Sequence, residues 1–502
     1  MKKNRLLLIW SMLLSVLFIG LASKSSPLYP LNDWVDVNCF FTMGRSLLDG
    51  MVPYRDLYEQ KGPVLYFVFA IVSLFSKDSY VGVYLLEVIT YGLFLYFSGL
   101  IAQLFLGKNK IVYLLISIIA ALLPMSWSFT HGGSVEQHSL FMIAYALYSF
   151  LLAMRQCRPL STKEAILNGV FAGMMLWIKY TMLGFYLGLA FFVIVWYLTT
   201  GQSWKQLLLT IGQFFLGIAA VSAVVFLYFA LNGALQDLFT CYFYNNIVLY
   251  PSEIQDSRLS LIFECLTGAF QNNGCYSWML LLGIAWTAWK LYDNWRTALM
   301  LLLSFAGLTL GTYWGGKGWD YYGFIFAAYT VFGLIGIIQL LWLCRARKLY
   351  LRLFRNSPIP FFAALAVTMV ILIYSAFMQN QNMYLTKYDK EDTVQYRFAK
   401  SIQTVDEPTL LNYGFLDGGF YYASGAKPAC RYFCYFNINP VDMWQSQELC
   451  IENGDADFII TRDTPLHSYS PDTSKYRLID ETDFPFRQNY DFTYYLYQKI
   501  PD

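Results

Sequence analysis

Long apolar stretches alternate with short polar connections along most of the chain. An apolar run of about 18 or more residues is long enough to cross a bilayer as a helix. Such runs lie at roughly 5–22, 80–106, 111–129, 137–154, 164–179, 181–198, 206–231, 276–291, 296–313, 320–343 and 359–378. The apolar stretch at 63–76 is about 14 residues long, which is typical of an interfacial or re-entrant helix. The pattern therefore predicts an α-helical polytopic membrane protein with about 11 transmembrane helices and additional juxtamembrane helices.

The composition agrees with this pattern. Hydrophobic residues make up 57% of the 502 residues, and charged residues only 14%, whereas soluble domains carry about a quarter charged residues. The net charge of +2 gives no indication of nucleic-acid binding, and no nucleic-acid partner is expected. The sequence contains no Gly-rich phosphate loop, HExxH, GxSxG or paired CxxC, so the enzyme classes that carry those motifs are not indicated.

The basic residues between the apolar runs predict the orientation, because cytoplasmic loops are enriched in lysine and arginine. If the N-terminus is cytoplasmic and 63–76 does not cross, every strongly basic turn is cytoplasmic. Those turns contain Lys108/Lys110, Arg155/Arg158/Lys163, Lys205, Lys290/Arg296 and Arg345/Arg347/Lys348/Arg352/Arg355. A crossing at 63–76 would place them all outside. We therefore predict a multi-pass plasma-membrane protein with a cytoplasmic N-terminus, an uncleaved first span and an extracytoplasmic C-terminus.

This topology places three larger segments on the outer face: 23–79, 232–275 and a polar tail. The tail contains strand-like runs, TLLNYGF, DFIITR and FTYYLYQK, which are separated by turn residues. The chain is therefore predicted to consist of a transmembrane domain, 1–378, and a small extracytoplasmic α/β domain, 379–502. Cys430, Cys434 and Cys450 would allow a disulfide in the tail, but three cysteines do not determine a pairing.

The first outer loop, 23–79, concentrates charge in the stretch DVNCFFTMGRSLLDGMVPYRDLYEQKGP at 36–63. Residues from 39 onward fit an amphipathic helix that ends with Gly50 as its C-terminal cap. Pro63 suits the first turn of a following helix, so Lys61 precedes a helix N-terminus, an arrangement that binds anions. The expected anion at a membrane surface is a lipid phosphate. A nearby carboxylate, Asp36, can accept a proton from an attacking hydroxyl while a cation stabilises the departing phosphate.

The pattern D-x-N…GR-x-LL-x-G-x-VPYRDLYEQKGP resembles the first extracytoplasmic loop of the GT-C superfamily of integral-membrane glycosyltransferases. It is most similar to bacterial members grouped with the protein O-mannosyltransferases and the lipid A aminoarabinose transferase. The resemblance implies a polyprenyl-phosphate sugar donor and a catalytic aspartate at the start of a juxtamembrane helix. Asp36 occupies that position, with Asp33 before it. Glu59–Pro63 is similar to the family's EKPP or HPP motif, although Gly62 stands where a proline is usual.

Three further segments resemble motifs of the same family. HGGSVEQHS at 131–139 places Glu136 at the second acidic position, and WIKYTMLG at 177–184 supplies Lys179 in a turn. GGKGWDYYGF at 315–324 is similar to an aromatic and basic outer motif that contains Lys317, Tyr321 and Tyr322. The topology predicted from charge places all four motifs on the outer face.

The resemblance implies an inverting transfer of a sugar from polyprenyl phosphate to an acceptor hydroxyl on the outer face. The acceptor is a glycan such as a cell-wall polysaccharide, a lipid or a protein, and neither it nor the sugar is specified. The predicted site residues are Asp36 and Glu136 as catalytic carboxylates, Lys61, Lys179 and Arg45 as donor-phosphate ligands, and Asp33, Asn38, Asp56, Glu59, Lys317, Tyr321 and Tyr322 as supporting residues. Lysine and arginine can carry the phosphate charge, so no cofactor is required, and a divalent metal ion is compatible with the reaction.

Several of these residues have structural alternatives. Asp36 or Asn38 would serve as a helix N-cap, and Asp56 would pair with its neighbour Arg55 in a turn. Ser134 and Gln137 fit a capping box, which would place Glu136 at a favourable helix dipole. Arg45 would snorkel, Lys179 would meet a C-terminal dipole, and the tyrosines would form an interfacial belt. Glu87 lies within a span, close enough to its outer end to reach water.

Two other functions fit a polytopic membrane protein. A lipid or glycan transporter or flippase would place polar sites near the membrane midplane, often in repeated halves, whereas the polar residues here gather on one predicted face. A non-catalytic assembly subunit would depend on the tail and not on the acidic residues of the loop.

Overall fold

The computed structural model describes residues 2–76, 79–249, 257–344, 359–438, 440, 442–487 and 490–501. The basic cluster at 345–355, used to predict the orientation, lies outside these residues. The helices are α1 (Lys2–Ala22), α2 (Val35–Leu48), α3 (Pro63–Ser73), α4 (Val81–Leu106), α5 (Ile111–Leu122), α6 (Val135–Arg155), α7 (Thr162–Lys179), α8 (Gly184–Thr200), α9 (Trp204–Leu231), α10 (Leu235–Asp237), α11 (Arg258–Asn272), α12 (Gly274–Asp293), α13 (Trp295–Tyr313), α14 (Thr330–Leu343), α15 (Ile359–Gln379), α16 (Val394–Ile402), α17 (Phe420–Ser424) and α18 (Met443–Asn453).

A helix is present at every predicted span. Within the described residues, eight helical segments are long and apolar enough to cross a membrane, and one of them, Thr162–Thr200, has 39 residues. That length is sufficient for two passes, and a 3₁₀ segment at Tyr180–Leu183 interrupts it. The predicted helical membrane fold is confirmed and the protein is a multi-pass membrane protein, while the number of crossings and the orientation stay predictions. Helix α5, with 12 residues, is shorter than the predicted span at 111–129.

The C-terminal region forms a five-stranded sheet in the order β2-β1-β3-β5-β4. Its strands are β1 (Thr409–Asn412), β2 (Lys427–Pro428), β3 (Phe458–Arg462), β4 (Tyr476–Arg487) and β5 (Tyr490–Lys499). Strand β1 pairs in parallel with β2 and β3, whereas β5 is antiparallel to both β3 and β4. The three strand-like runs are therefore confirmed as β1, β3 and β5. Strand β4 escaped prediction because it is an edge strand with charged residues and Pro485, and such residues are tolerated at an edge.

The chain divides into two compact units. The helical unit comprises Met1–Ser23, Tyr84–Ala223 and Asp256–Gln381, and the mixed unit comprises Lys24–Val83, Val224–Gln255 and Asn382–Asp502. From Lys24 onward, the predicted first outer loop thus belongs to the same unit as the C-terminal sheet. The predicted division of the chain after residue 378 stays a prediction.

Small residues set the packing of α8 against α13 in the helical unit. A Cβ added to Gly184 would lie 2.1 Å from the carbonyl oxygen of Gly307, and one added to Gly188 would lie 2.1 Å from that of Leu303. Glycines four residues apart allow two helices in a membrane to approach at backbone distance. This contact fixes the beginning of α8, which follows directly on the turn after Lys179.

Candidate active site

Asp36 is the second residue of α2 in the mixed unit. The residue at the N-cap position is Trp34, which has an extended backbone and forms no side-chain capping bond. The structure therefore does not support an N-cap role for Asp36, whose carboxylate is left for other contacts. Helix α2 ends at Leu48, and Gly50 follows with a φ of +88°, which confirms the predicted C-terminal cap.

Asn38 fixes the chain that leads into α2. Its amide nitrogen donates to the carbonyl oxygens of Asn32 at 2.8 Å and Trp34 at 2.9 Å, and its amide oxygen accepts from the Tyr80 hydroxyl at 2.7 Å. The side chain is fully buried. Asn38 therefore holds the first turn of the helix that carries Asp36, and its supporting role at the site stays a prediction.

Helices α2 and α3 approach closely enough to bring Lys61 to Asp36. A Cβ added to Gly44 of α2 would lie 2.5 Å from the carbonyl carbon of Phe69 in α3. Pro63 begins α3, as predicted, after Gly62 as the N-cap. The Lys61 Nζ lies 3.9 Å from Asp36 Oδ2, and the two side chains are 7% and 15% exposed. The predicted base and the predicted phosphate ligand thus form a loose, largely buried ion pair.

Glu59 holds the backbone that presents Lys61. Its carboxylate is buried and accepts hydrogen bonds from the Lys61 backbone N–H at 2.8 Å and from the Tyr66 hydroxyl. Burial raises the pKa of Glu59, although the Lys61 charge and the Tyr66 hydrogen bond act in the opposite direction. Lys61 therefore neighbours a second carboxylate besides Asp36, and Glu59 acts as a positioning group for the loop.

Asp33 is held by a lysine that the sequence patterns did not single out. Its Oδ1 lies 2.7 Å from the Nζ of Lys24, whose side chain is fully buried, and the same Nζ donates to the Tyr384 hydroxyl at 3.1 Å. A lysine directly after an apolar span is usually interpreted as an interfacial flank. The structure instead uses Lys24 to fix the segment that precedes α2.

Arg45 and Asp56 have partners away from the Asp36–Lys61 pair. Arg45 lies in the last turn of α2, about 13 Å along the helix axis from Asp36, and donates to the carbonyl oxygen of Gly425 at 3.0 Å. Asp56 pairs with Arg55 at 2.8 Å and accepts from the Val52 N–H at 2.7 Å. The hydrogen bond from Arg55 lowers the pKa of Asp56. The Asp56–Arg55 contact matches the structural alternative for Asp56, whereas the bond from Arg45 to Gly425 differs from the predicted snorkelling, and the functional roles of both residues stay predictions.

In the helical unit, Glu136 pairs with Lys179. Ser134 caps α6 by accepting from the Gln137 N–H at 3.0 Å, but the reciprocal half of the predicted capping box is absent because the Gln137 side chain accepts from the Gly133 N–H instead. Glu136 lies in the first turn with 1% exposure. The Nζ of Lys179, at the end of α7, is 2.6 Å from Glu136 Oε1. The other oxygen, Oε2, is buried and has no hydrogen-bond partner among the described residues.

The predicted aromatic motif contacts this pair. The Lys179 Nζ lies 3.3 Å from the ring centroid of Tyr322 and 6.0 Å from that of Tyr321. Both tyrosines belong to a 3₁₀ segment, Asp320–Tyr329, and half-buried Lys317 lies in the turn before it. The structure thus brings Glu136, Lys179 and Tyr322 together by direct contacts.

Glu87 supports the turn before Glu136. The structure buries Glu87 completely, so the expectation that it reaches water is wrong. Its carboxylate accepts from the Ser23 hydroxyl at 2.8 Å and from the Gln137 amide at 3.1 Å. The Gln137 Oε1 in turn accepts from the Gly133 N–H. Intramembrane acids are retained when they have such partners, and here the partners order the turn that carries Glu136.

The described part of the chain contains no group of three or more His, Cys, Asp or Glu residues placed to hold a metal ion. In the Asp36–Lys61 pair and in the Glu136–Lys179 pair, the positive charge opposite the carboxylate is a lysine.

No protein-family model and no curated protein matches the chain. Its fold is similar to that of ArnT from Cupriavidus metallidurans in the apo state, with a TM-score of 0.54 and 12% identity over 97% of each chain. ArnT bound to undecaprenyl phosphate gives a TM-score of 0.51 and 12% identity over 98% of this chain and 97% of that chain. The apo oligosaccharyltransferase of Archaeoglobus fulgidus gives 0.50 and 12% identity over 91% of this chain and 69% of that chain. These proteins are GT-C glycosyltransferases, so the chain has the GT-C fold.

Proposed function

We propose that the protein is a membrane glycosyltransferase that moves a sugar from a polyprenyl-phosphate donor to an acceptor hydroxyl on the outer face of the membrane. The observation that carries the proposal is the pairing of Asp36 with Lys61 at 3.9 Å, at the junction of α2 and α3. The GT-C fold supports it, and one of the similar structures, ArnT, is bound to undecaprenyl phosphate.

In the proposed reaction, Asp36 accepts the proton of the acceptor hydroxyl. The acceptor oxygen forms a bond to the anomeric carbon as the bond from that carbon to the phosphate oxygen breaks, which inverts the configuration. The products are the glycosylated acceptor and polyprenyl phosphate, whose additional negative charge Lys61 and the N-terminus of α3 stabilise. A separation of 3.9 Å is too long for a hydrogen bond, so a substrate can engage either charge without breaking a hydrogen bond between Asp36 and Lys61.

In the helical unit, the proposal assigns anion binding to Lys179. Its Nζ is held by Glu136 and by the face of Tyr322, which fixes a cation in a largely apolar setting. A catalytic role for Glu136 stays part of the proposal, and its support is the buried Oε2 that has no hydrogen-bond partner among the described residues.

The proposal requires no cofactor because Lys61 supplies positive charge for the departing phosphate. A divalent ion could add the same kind of charge stabilisation, and chelation tests this point directly. Transfer that persists after EDTA treatment would agree with the lysine-based assignment. Transfer that stops in EDTA and returns with added Mg²⁺ or Mn²⁺ would replace it with a metal-assisted one.

The test is a transfer assay on the purified full chain in lipid nanodiscs, with a panel of polyprenyl-phosphate sugars and envelope glycan, lipid and peptide acceptors. Release of polyprenyl phosphate and labelled acceptor are both measured. Asp36→Asn should lower transfer about 10²- to 10⁴-fold, the usual contribution of a general base. The matched control is Asp49→Asn, at the exposed C-terminal end of the same helix, which should transfer like the unaltered protein.

Two results would overturn the proposal. Undiminished transfer by Asp36→Asn would remove the proposed base. Movement of labelled lipid across liposomes, with no sugar transfer to any acceptor, would favour the flippase function instead. The outer-face location has its own test, in which a membrane-impermeant maleimide should label Asp49→Cys in intact spheroplasts.

A further inference from the structure

Two buried cysteines connect α2 to the C-terminal region within the mixed unit. Cys39 lies on α2, three residues after Asp36, and its Sγ is 3.8 Å from that of Cys434. The two residues are 395 positions apart in the chain, and both are buried. Their contact therefore joins the helix of the proposed base to a segment that is distant in sequence.

A second thiol pair lies next to the first. Cys450 belongs to the apolar cluster between α18 and the sheet, and Cys430 packs against that cluster while its thiol donates to the Tyr432 carbonyl oxygen at 3.3 Å. Backbone hydrogen bonds fix the segment between the pairs, since the Arg431 carbonyl accepts from the Tyr58 N–H and the Phe433 carbonyl from the Asn412 N–H. The segment that carries Cys430 and Cys434 is therefore fixed by backbone hydrogen bonds.

We propose that these thiols form two disulfide bonds in the mature protein, Cys39–Cys434 and Cys430–Cys450. The inference rests on the outer-face location in the proposed function, because structural disulfides form in oxidising compartments, but it does not depend on the transfer reaction. The sequence could not give this pairing, since Cys39 belongs to a helix near the N-terminus and the tail alone holds three cysteines.

The oxidant is the disulfide of a thiol–disulfide oxidoreductase. One cysteine thiolate attacks that disulfide to form a mixed disulfide, and its partner thiolate then displaces the oxidoreductase thiol. Each pair of thiols loses two protons and two electrons, and the oxidoreductase disulfide is reduced to two thiols. The sulfurs of Cys39 and Cys434 would approach from 3.8 Å to about 2 Å. Because both are buried, the exchange takes place while the unit folds.

The Cys39–Cys434 bond would lock the first turns of α2 to the 430–434 segment. That segment also hydrogen-bonds Tyr58, next to Glu59 and Lys61 in the chain. One covalent bond would therefore tie together the two pieces of chain that carry the proposed base and the proposed phosphate ligand. A bond between residues so far apart also restricts the unfolded chain strongly, so reduction should lower the melting temperature.

The direct test is thiol mapping. Cells are lysed in acid, the protein is denatured and alkylated with N-ethylmaleimide without reductant, and peptides are analysed by mass spectrometry. We expect protection of four of the nine cysteines and cross-linked peptides that contain 39 with 434 and 430 with 450. Alkylation of all four, or a 430–434 linkage, would overturn the proposal. The control Cys265→Ser, in α11 of the helical unit, should leave all four protected.

A variant extends the test beyond mapping. In Cys39→Ser, Cys434 should become alkylated while Cys430 and Cys450 stay linked. Adding a reductant should then lower the melting temperature of this variant less than that of the unaltered protein. If Cys39→Ser fails to fold, Cys430→Ser provides the converse measurement, with 39–434 intact. Thiol protection is measured independently of sugar transfer. Protected thiols without transfer would contradict only the proposed function. Transfer by a protein whose four thiols are free would contradict only this inference.

Discussion

The Asp36–Lys61 pair and the Glu136–Lys179 pair differ in tightness. In the mixed unit, Lys61 lies 3.9 Å from Asp36, just before the N-terminus of α3. In the helical unit, Lys179 lies 2.6 Å from Glu136, at the C-terminus of α7, where its charge also meets the helix dipole favourably. The tight pair is closely ion-paired through Glu136 Oε1, whereas the loose pair lies beside a helix end that favours an external anion. Under the proposed function, Asp36 and Lys61 take part in the proton transfer and the departure of the phosphate, and Glu136 holds Lys179 in place as an anion-binding charge.

After Asp36→Asn, the largest loss of transfer is expected from Lys61→Gln. Removing one preorganised charge from a developing oxyanion typically costs about 10² to 10³ in kcat, and we expect a loss of that order in transfer. The measurement is steady-state transfer with the donor concentration varied. An unchanged kcat with a raised KM would show that Lys61 only binds the donor.

The matched control for Lys61→Gln is Lys427→Gln. Lys427 pairs with Glu407 at 3.1 Å in the same unit, and both side chains are well exposed. Exposed pairs contribute little to stability, so this variant should retain transfer and melting temperature. An equal loss in both variants would indicate a general effect of lost positive charge.

Glu136→Gln should lower the stability of the folded protein. It would leave the Lys179 charge largely buried without its carboxylate, and breaking such a pair costs about 3–5 kcal/mol. The double variant Glu136→Gln/Lys179→Gln should recover part of this loss, because no unpaired charge remains. Thermal unfolding in nanodiscs measures both. A single variant as stable as the unaltered protein would mean that the tight pair is not a structural element.

The parts of the molecule that the sequence predicted are those encoded in local patterns. Runs of apolar residues predicted a helix at every span, and Gly50, Pro63 and Ser134 marked helix ends correctly because capping depends on neighbouring residues. The contacts of Lys24 with Asp33 and of Glu87 with Gln137 were missed because one partner of each pair lies in or beside an apolar span, where the pattern indicates only membrane insertion. The meeting of Cys39 with Cys434 depends on tertiary packing between distant segments, which no local pattern contains.

The mixed unit also contains a buried carboxyl group that should make the folding stability depend on pH. Asp417 is fully buried and accepts from Thr42 on α2 and from the Gly419 and Phe420 N–H groups. Burial raises its pKa from 3.8 to about 6, despite these hydrogen bonds. A raised pKa means that the folded protein holds the proton more tightly, so this group contributes stability below about pH 4 that is lost as the pH rises through about 6.

Asp417→Asn should therefore flatten the stability profile. The shift corresponds to roughly 3 kcal/mol between the two ends of this pH range, and asparagine preserves an acceptor for the backbone N–H groups. Melting temperatures from pH 4 to 7.5 should fall with rising pH in the unaltered protein more than in the variant. Parallel profiles would contradict the assignment of this dependence to Asp417.

The smallest effect is expected from the tyrosine rings that lie near Lys179. The Tyr322 ring centroid lies 3.3 Å from the Lys179 Nζ, whereas that of Tyr321 lies 6.0 Å away. A double-mutant cycle of Tyr322→Leu with Lys179→Met should give a coupling free energy of about 1 kcal/mol in thermal unfolding. The same cycle with Tyr321→Leu should give a smaller value, and Tyr322→Phe, which keeps the ring face, should retain most of the coupling. Equal coupling for the two tyrosines would show that contact with the Tyr322 ring does not hold Lys179 in place.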